Sequence, residues 1–195
     1  MLGAGFFTSQ KSKEVVHTGV DQATSSVTTA GDIIGEGTAG SPGTLNAINV
    51  PITLTAGNNP VDITKLVVSY TSKADYVGNI WGDGLAYNYD NVAAYGTWSG
   101  ASGATKTSSG DATLTPANGY LYYWIQQITT NTMLEQNEKV ILHICLADAA
   151  NPGNGIASLP GPNYDITIEV KPASGATMSI PLKTPPVIKT IMTLL

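Results

Sequence analysis

The 195-residue chain carries 9 Lys, no Arg and 14 Asp plus Glu, for a net charge of −5 and only 12 % charged residues, about half the share of an ordinary soluble domain. Phosphate neutralisation needs clustered Lys and Arg, so this composition argues against nucleic acid as a partner. With 42 % apolar residues the chain can build a core and does not read as disordered. The single cysteine, Cys145, offers no internal disulfide. No run approaches the ~18 consecutive apolar residues of a membrane span, and the opening MLGAGFF is too short for a signal-peptide core.

Residues 1–30 differ in kind from the remainder of the chain. From Thr8 to Ala30 there is no Pro and Gly19 is the sole Gly, whereas both recur every few residues afterwards. Val16, Val20, Ala23, Val27 and Ala30 repeat at alternating steps of four and three, the seam of a helix packed lengthwise on another helix. The spacing predicts a helix from about Phe6 to Thr29, with Gly31 as its stop. Residues 31–44 read as a hinge or linker, and 45–195 as a β-domain.

After Gly31 the period changes to two. Asn46–Thr55 places Ile48, Val50, Ile52 and Leu54 on one face, and Pro51, which lacks a donor, argues for an edge strand or a bulge. Asp62–Thr71 comes next, with Leu66, Val68 and Tyr70 on one side. Weaker strands are expected between Tyr76 and Ser99, and a mobile Ser/Thr/Gly/Ala loop over Gly100–Gly110. Gly119–Thr129 is an aromatic-rich strand, and Lys139–Leu146 has Val140, Leu142, Ile144 and Leu146 pointing inward. Tyr164–Val170 and Ala176–Leu182 read as a hairpin, and Val187–Leu195 as a last strand. Short strands punctuated by turn residues, with no helical period between them, predict an antiparallel β-sandwich preceded by an α-helix.

Catalytic signals are thin. His17 flanks the helical seam. His143 and Cys145, two apart on a strand, share a face, but two ligands do not make a zinc site and no orienting group is signalled. Asp83, Asn88, Asp90 and Asn91 cluster in WGDGLAYNYDN, where hard oxygen ligands would suit calcium; Asp83, Asp90 and Asn91 are the candidates for a metal. Glu135 and Glu138 sit three apart in a turn, a spacing that usually leaves both solvated. Trp81, Trp98 and Trp124 would suit sugar stacking, although a sandwich more often buries them. Gly37-Thr-Ala-Gly40 lies outside any strand-to-helix turn and does not support phosphate binding.

The block LGAGFFTSQKSKEVVHTGVDQATSSV resembles the second half of the long N-terminal helix of archaellins, the filament subunits of the archaeal flagellum. Gly5-Phe6-Phe7, the polar Gln10-Lys11-Ser12-Lys13 and Thr18-Gly19-Val20 carry the likeness. Leu134-Glu-Gln-Asn-Glu-Lys-Val140 is similar to a Leu-x-x-x-Glu-Lys turn of the family, and Ile166–Ala176, followed by a Thr-Pro-Pro step, is similar to its far end. The resemblance implies a class III signal peptide ahead of the mature chain, a helix in the filament core and an immunoglobulin-like sandwich outside. The first apolar turns of that helix are not in this sequence, which suggests truncation, natural or engineered. Archaellins tend to carry N-glycans, and this sequence has no sequon.

The resemblance makes this chain a structural subunit of an extracellular swimming filament, with no enzymatic activity and no required cofactor, calcium being the one ion considered. Its partners would be other copies of itself, and a membrane only through the apolar segment ahead of the helix before assembly. Phe6, Phe7, Val16, Val20, Ala23 and Val27 would form the assembly interface. An adhesion pilin built from the same parts, and a carbohydrate-binding sandwich, are the alternative readings. Helix and sandwich would have separate cores, so deletion of residues 1–30 would leave a folded monomer.

Overall fold

The computed structural model describes residues 26–40, 42–55, 59–80, 120–146, 156 and 158–194. They form β1 (Val27–Thr29), β2 (Ile34–Thr38), β3 (Thr44–Leu54), β4 (Val61–Asp62), β5 (Val67–Ser72), β6 (Tyr76–Val77), β7 (Tyr120–Gln126), β8 (Met133–Leu134), β9 (Lys139–Cys145), β10 (Asp165–Lys171), β11 (Met178–Lys183) and β12 (Ile191–Thr193). Among the described residues there is no α-helix, only a single 3-10 turn at Ile63–Lys65. Asp62 caps that turn by accepting from the Thr64 backbone N–H at 3.0 Å and its hydroxyl at 2.6 Å. Burial raises the Asp62 pKa, but the Thr64 hydrogen bonds and Lys65, 3.2 Å away, outweigh it and hold the group below the usual 3.8.

A six-stranded sheet runs β12-β2-β3-β9-β7, with β1 added on β3, and a four-stranded sheet runs β11-β10-β5-β6. A small β4-β8 ladder stands apart from both, and every pairing is antiparallel. One core joins the two large sheets. Ile48, Val50, Ile52, Leu142 and Ile144 come from the first, and Val68, Tyr70, Ile166, Ile168 and Val170 from the second. This is the expected result of period-two strands that each bury one face.

The β10-β11 hairpin forms with Ile168 opposite Ile180, as its alternation predicts. Pro51 does not mark an edge, because β3 is central and pairs with β9 throughout this stretch. The Pro51 carbonyl accepts from Ala30 N–H at 2.8 Å, and in an antiparallel strand a residue's N and O point to the same side. The missing donor therefore faces Ala30, where β1 ends, so the one reciprocal bond it forfeits falls at the break between β1 and β2.

Two boundaries differ from the expectation. Val27–Thr29, the predicted end of the helix, is a strand paired with Ile52–Leu54. Val27 is 4 % exposed and belongs to the sandwich core, so it is removed from the assembly-interface set; its seam spacing coincides with an inward strand position. The predicted linker 31–44 contains β2, which pairs with β3 on one side and β12 on the other. Its Gly residues suit close packing rather than flexibility. Phe6, Phe7, Val16, Val20 and Ala23, the predicted helix up to residue 25, the strands sought beyond residue 80 and the loop 100–110 lie outside the described residues.

The deletion boundary moves accordingly. A chain beginning at Ser26 is expected to keep the stability of the sandwich. One beginning at Gly31 loses the buried Val27 and three cross-strand pairs, a cost of about 2–3 kcal/mol. Denaturant unfolding of the two truncated chains measures the difference.

Candidate functional site

Both faces of β3 are closed to solvent between Ala47 and Ile52, and the face turned away from the core carries a polar row. Asn49 of β3 stands opposite His143 of β9, and Glu36 of β2 lies alongside. Asn49 Nδ2 donates to Glu36 Oε1 at 2.7 Å, so its Oδ1 is left to accept from His143 Nδ1 at 2.7 Å and, at a longer 3.5 Å, from the Tyr123 hydroxyl. The amide thus holds the proton on Nδ1 of a neutral imidazole. His143 and Cys145 share this face as their spacing requires and are 8 % and 6 % exposed. Among the described residues no three His, Cys, Asp or Glu side chains come together as a metal site. The row is a buried hydrogen-bond network across three strands, which fixes their register.

Burial depresses the His143 pKa below 6.5, and the Glu36 carboxylate, 3.9 Å from Nδ1, opposes the shift without cancelling it. The folded state resists a proton that the unfolded chain accepts, so this contribution to stability is whole above about pH 6.5 and is lost as pH falls toward the folded value. Thermal unfolding between pH 7 and 5 is expected to show the loss, at a slope of up to ~1.4 kcal/mol per pH unit. His143→Gln flattens it.

A second device lies at the far end of the same sheet. The Glu138 side chain is fully buried. Its Oε1 accepts from the backbone N–H groups of Ile128 at 2.7 Å and Thr129 at 2.9 Å, and its Oε2 from Glu135 N–H at 2.9 Å. Glu135 adds bonds from the Thr129 hydroxyl at 3.2 Å and Asn131 Nδ2 at 3.3 Å. Asn137, at φ 65°, supplies the left-handed turn that folds Glu138 back under the loop. The two glutamates are therefore no catalytic pair, and Glu138 is not solvated: it clamps residues 128–135 onto the domain. Beside the clamp, the β7-β9 register shifts between Trp124 and Gln126. Ile125 in that shift is 54 % exposed and Ile128 on the clamped loop 65 %.

Near β12, at the opposite edge of the six-stranded sheet, an open groove of about 470 Å³ is lined by β11, by residues between Thr28 and Ile33, and by Thr193 and Leu194. Its lining is mixed, with Ile33, Met178 and Pro181 beside Thr28, Thr29, Asp32, Ser179 and Thr193. Trp124 is buried and meets Tyr122 edge-on at 6.5 Å, so it packs the core rather than a sugar platform. Trp81, Trp98 and the calcium candidates Asp83, Asp90 and Asn91 lie outside the described residues. The Gly37 of the Gly-Thr-Ala-Gly stretch sits in β2 against the C-terminal segment and donates to the Thr190 carbonyl at 3.1 Å.

The model of the archaeal-type flagellin family matches residues 1–182. The chain belongs to the archaeal-type flagellin family. It is 34 % identical over 198 residues to probable flagellin 1 of Archaeoglobus fulgidus, covering 100 % of this chain and 83 % of that protein. It is 29 % identical over 185 residues to probable flagellin 1 of Aeropyrum pernix, covering 92 % and 77 %. Two solved structures share the fold. These are the archaeal flagellum of Methanospirillum hungatei strain JF1 (TM-score 0.60, 21 % identity, 100 % of this chain and 85 % of that one) and flagellin FlaB1 of Methanocaldococcus jannaschii (0.58, 15 %, 87 % and 96 %). Family membership makes this chain a structural subunit of the archaeal flagellum, an extracellular filament on the cell surface.

Proposed function

We propose that the chain polymerises with identical copies through residues 1–25, which form the helical core of the filament, and that the immunoglobulin-like sandwich makes its outer wall without catalysing any reaction. The observation that carries this reading is the match of the archaeal-type flagellin family model to residues 1–182, the N-terminal segment included. Val27 lies in the sandwich core, and the seam of Val16, Val20 and Ala23 ahead of it has the spacing of helix-to-helix contact. Few charges and many short polar side chains suit broad subunit contacts that desolvate few ions. Before assembly, an apolar segment at the start of the helix holds the subunit at the membrane. No cofactor is needed for this role; calcium at Asp83, Asp90 and Asn91 would show as a saturable titration by calorimetry that Asp90→Asn abolishes.

The test is negative-stain electron microscopy of the full chain carrying an apolar helical extension ahead of Met1, beside the chain beginning at Ser26. Uniform thin filaments from the first and monomers from the second are expected. Monomers from both would remove the core-helix model.

A further inference from the structure

The C-terminal segment is fixed to one place up to Pro185 and to another beyond it. The Thr184 hydroxyl donates to the Gly161 carbonyl at 2.6 Å and accepts from Tyr164 N–H at 2.7 Å, and the Pro185 carbonyl accepts from Asn163 N–H at 3.3 Å. After Pro186 the chain lies along β2 with Met192 opposite Gly35. Gly37 N–H donates to the Thr190 carbonyl at 3.1 Å at one end of this ladder, and Leu194 N–H to the Ile33 carbonyl at 2.9 Å at the other. We propose that residues 187–194 are a guard strap: they fill a strand-accepting edge of β2, block it against strand addition from outside, and are replaceable there by a free peptide of the same pattern. This device is independent of the filament reading.

The edge is shaped for its occupant. A β-carbon on Gly35 would lie 3.0 Å from Leu194 Cδ2, one on Gly37 2.6 Å from Ile188 Cγ2, and one on Gly43, just before β3, 2.8 Å from Ile188 Cβ. Ile188 and Leu194 thus fill space that β2 and the start of β3 leave empty, over a floor of backbone. The occupant, in turn, has the form of a strap. Ile188, Met192 and Leu194 are its buried anchors, at 3 %, 8 % and 5 % exposure, while Val187, Lys189, Thr190, Ile191 and Thr193 are exposed. A main-chain ladder with spaced side-chain anchors is the way an extended peptide adds to the edge of a sheet. Without the strap, the outward N–H and C=O groups of Ile34–Thr38 lose their partners, and Gly35 and Gly37 carry no side chain to hold another strand off. An open edge of that kind is a template for pairing with a further chain. The strap does not recreate the hazard on its own outer side, because β12 is only three residues long and the exposed Lys189 precedes it.

The test uses the full chain with a protease recognition sequence inserted between Pro186 and Val187 and cut after folding. The cut protein is expected to keep its far-UV circular dichroism and to carry residues 187–195 with it through gel filtration. A fluorescent synthetic peptide of residues 187–195 with a solubilising lysine tail should then exchange into it, read by anisotropy, and the same peptide with Met192→Asp should bind at least tenfold more weakly. Loss of the fold on cutting would make these residues an integral part of the core and overturn the proposal. A folded cut protein that takes up neither peptide, or both equally, also overturns it. The guarding role has its own readout in a chain that ends at Pro186. That chain is expected to form multimers that bind thioflavin T, and the wild-type peptide, but not the Met192→Asp peptide, should prevent them. If it folds and associates no more than the intact chain, β2 needs no guard; if it does not fold, the cut protein decides.

Discussion

Replacement of Glu138 by Ala is expected to lower the free energy of unfolding by on the order of 3–5 kcal/mol. The change leaves three backbone donors, those of Ile128, Thr129 and Glu135, without the buried acceptor they share, and each unmade bond costs roughly 1–3 kcal/mol before water relaxes part of it. Glu138→Gln discriminates this account from simple packing. Its one carbonyl oxygen still serves Ile128 and Thr129, but its amide hydrogens then face the Glu135 donor, so an intermediate loss is expected from nearly the same volume. Urea unfolding of the three proteins, followed by Trp fluorescence, gives the ranking. If the Gln variant matches wild type, the carboxylate does not act as a clamp.

The second large effect is expected from Gly37→Ala. A β-carbon at this position would lie 2.6 Å from Ile188 Cγ2, 2.8 Å from the Thr44 carbonyl oxygen and 2.9 Å from that of Lys189. Two of the three obstacles are backbone, which cannot swing aside, so β2 and the C-terminal segment must part. A loss of about 2–3 kcal/mol is expected from overpacking of this kind, together with faster proteolysis after residue 187. Gly40→Ala is the control. Its β-carbon meets nothing closer than 3.5 Å, and the melting temperature should stay within a degree or two of wild type. Equal effects from the two substitutions would show that the close approach of the C-terminal segment does not matter.

These residues also mark where sequence reasoning succeeds and where it stops. The strands that alternate cleanly, such as Lys139–Leu146 and the Asp165–Lys183 hairpin, are legible because one face of each is core and the period is two. The family is legible from short motifs at both ends. The Leu-x-x-x-Glu-Lys turn shows what is missing: the spacing is visible, but that Glu138 is buried with three backbone donors depends on β7 and β8 folding around it. The Glu36-Asn49-His143 row joins residues 13 and 94 positions apart, and no local pattern in any one strand announces it. The helical assignment of Val27 fails for a physical reason as well. A strand of three residues is too short to display its own period, so the helical seam upstream runs on into it. Pro51 mimics an edge position because the rule concerns the direction of its absent donor, and that direction is set by where β1 and β2 part.

The attachment of β1 has a mechanical meaning. Any pull on the segment before Ser26 reaches the domain through β1, whose partner is β3. Ser26 adds its own grip, with its carbonyl accepting from Thr55 N–H at 2.9 Å and its hydroxyl meeting that of Thr55. β1 holds the end of β3, at Ile52–Leu54, and β9 backs β3 from Ala47 to Ile52, so tension that passes β1 is carried into a strand with partners on both sides. The first ladder it loads is that of β1, a three-residue strand paired, among the described residues, on one side only. The strength of the join between this domain and whatever precedes Ser26 is thus set by three cross-strand pairs and the Ser26–Thr55 bonds.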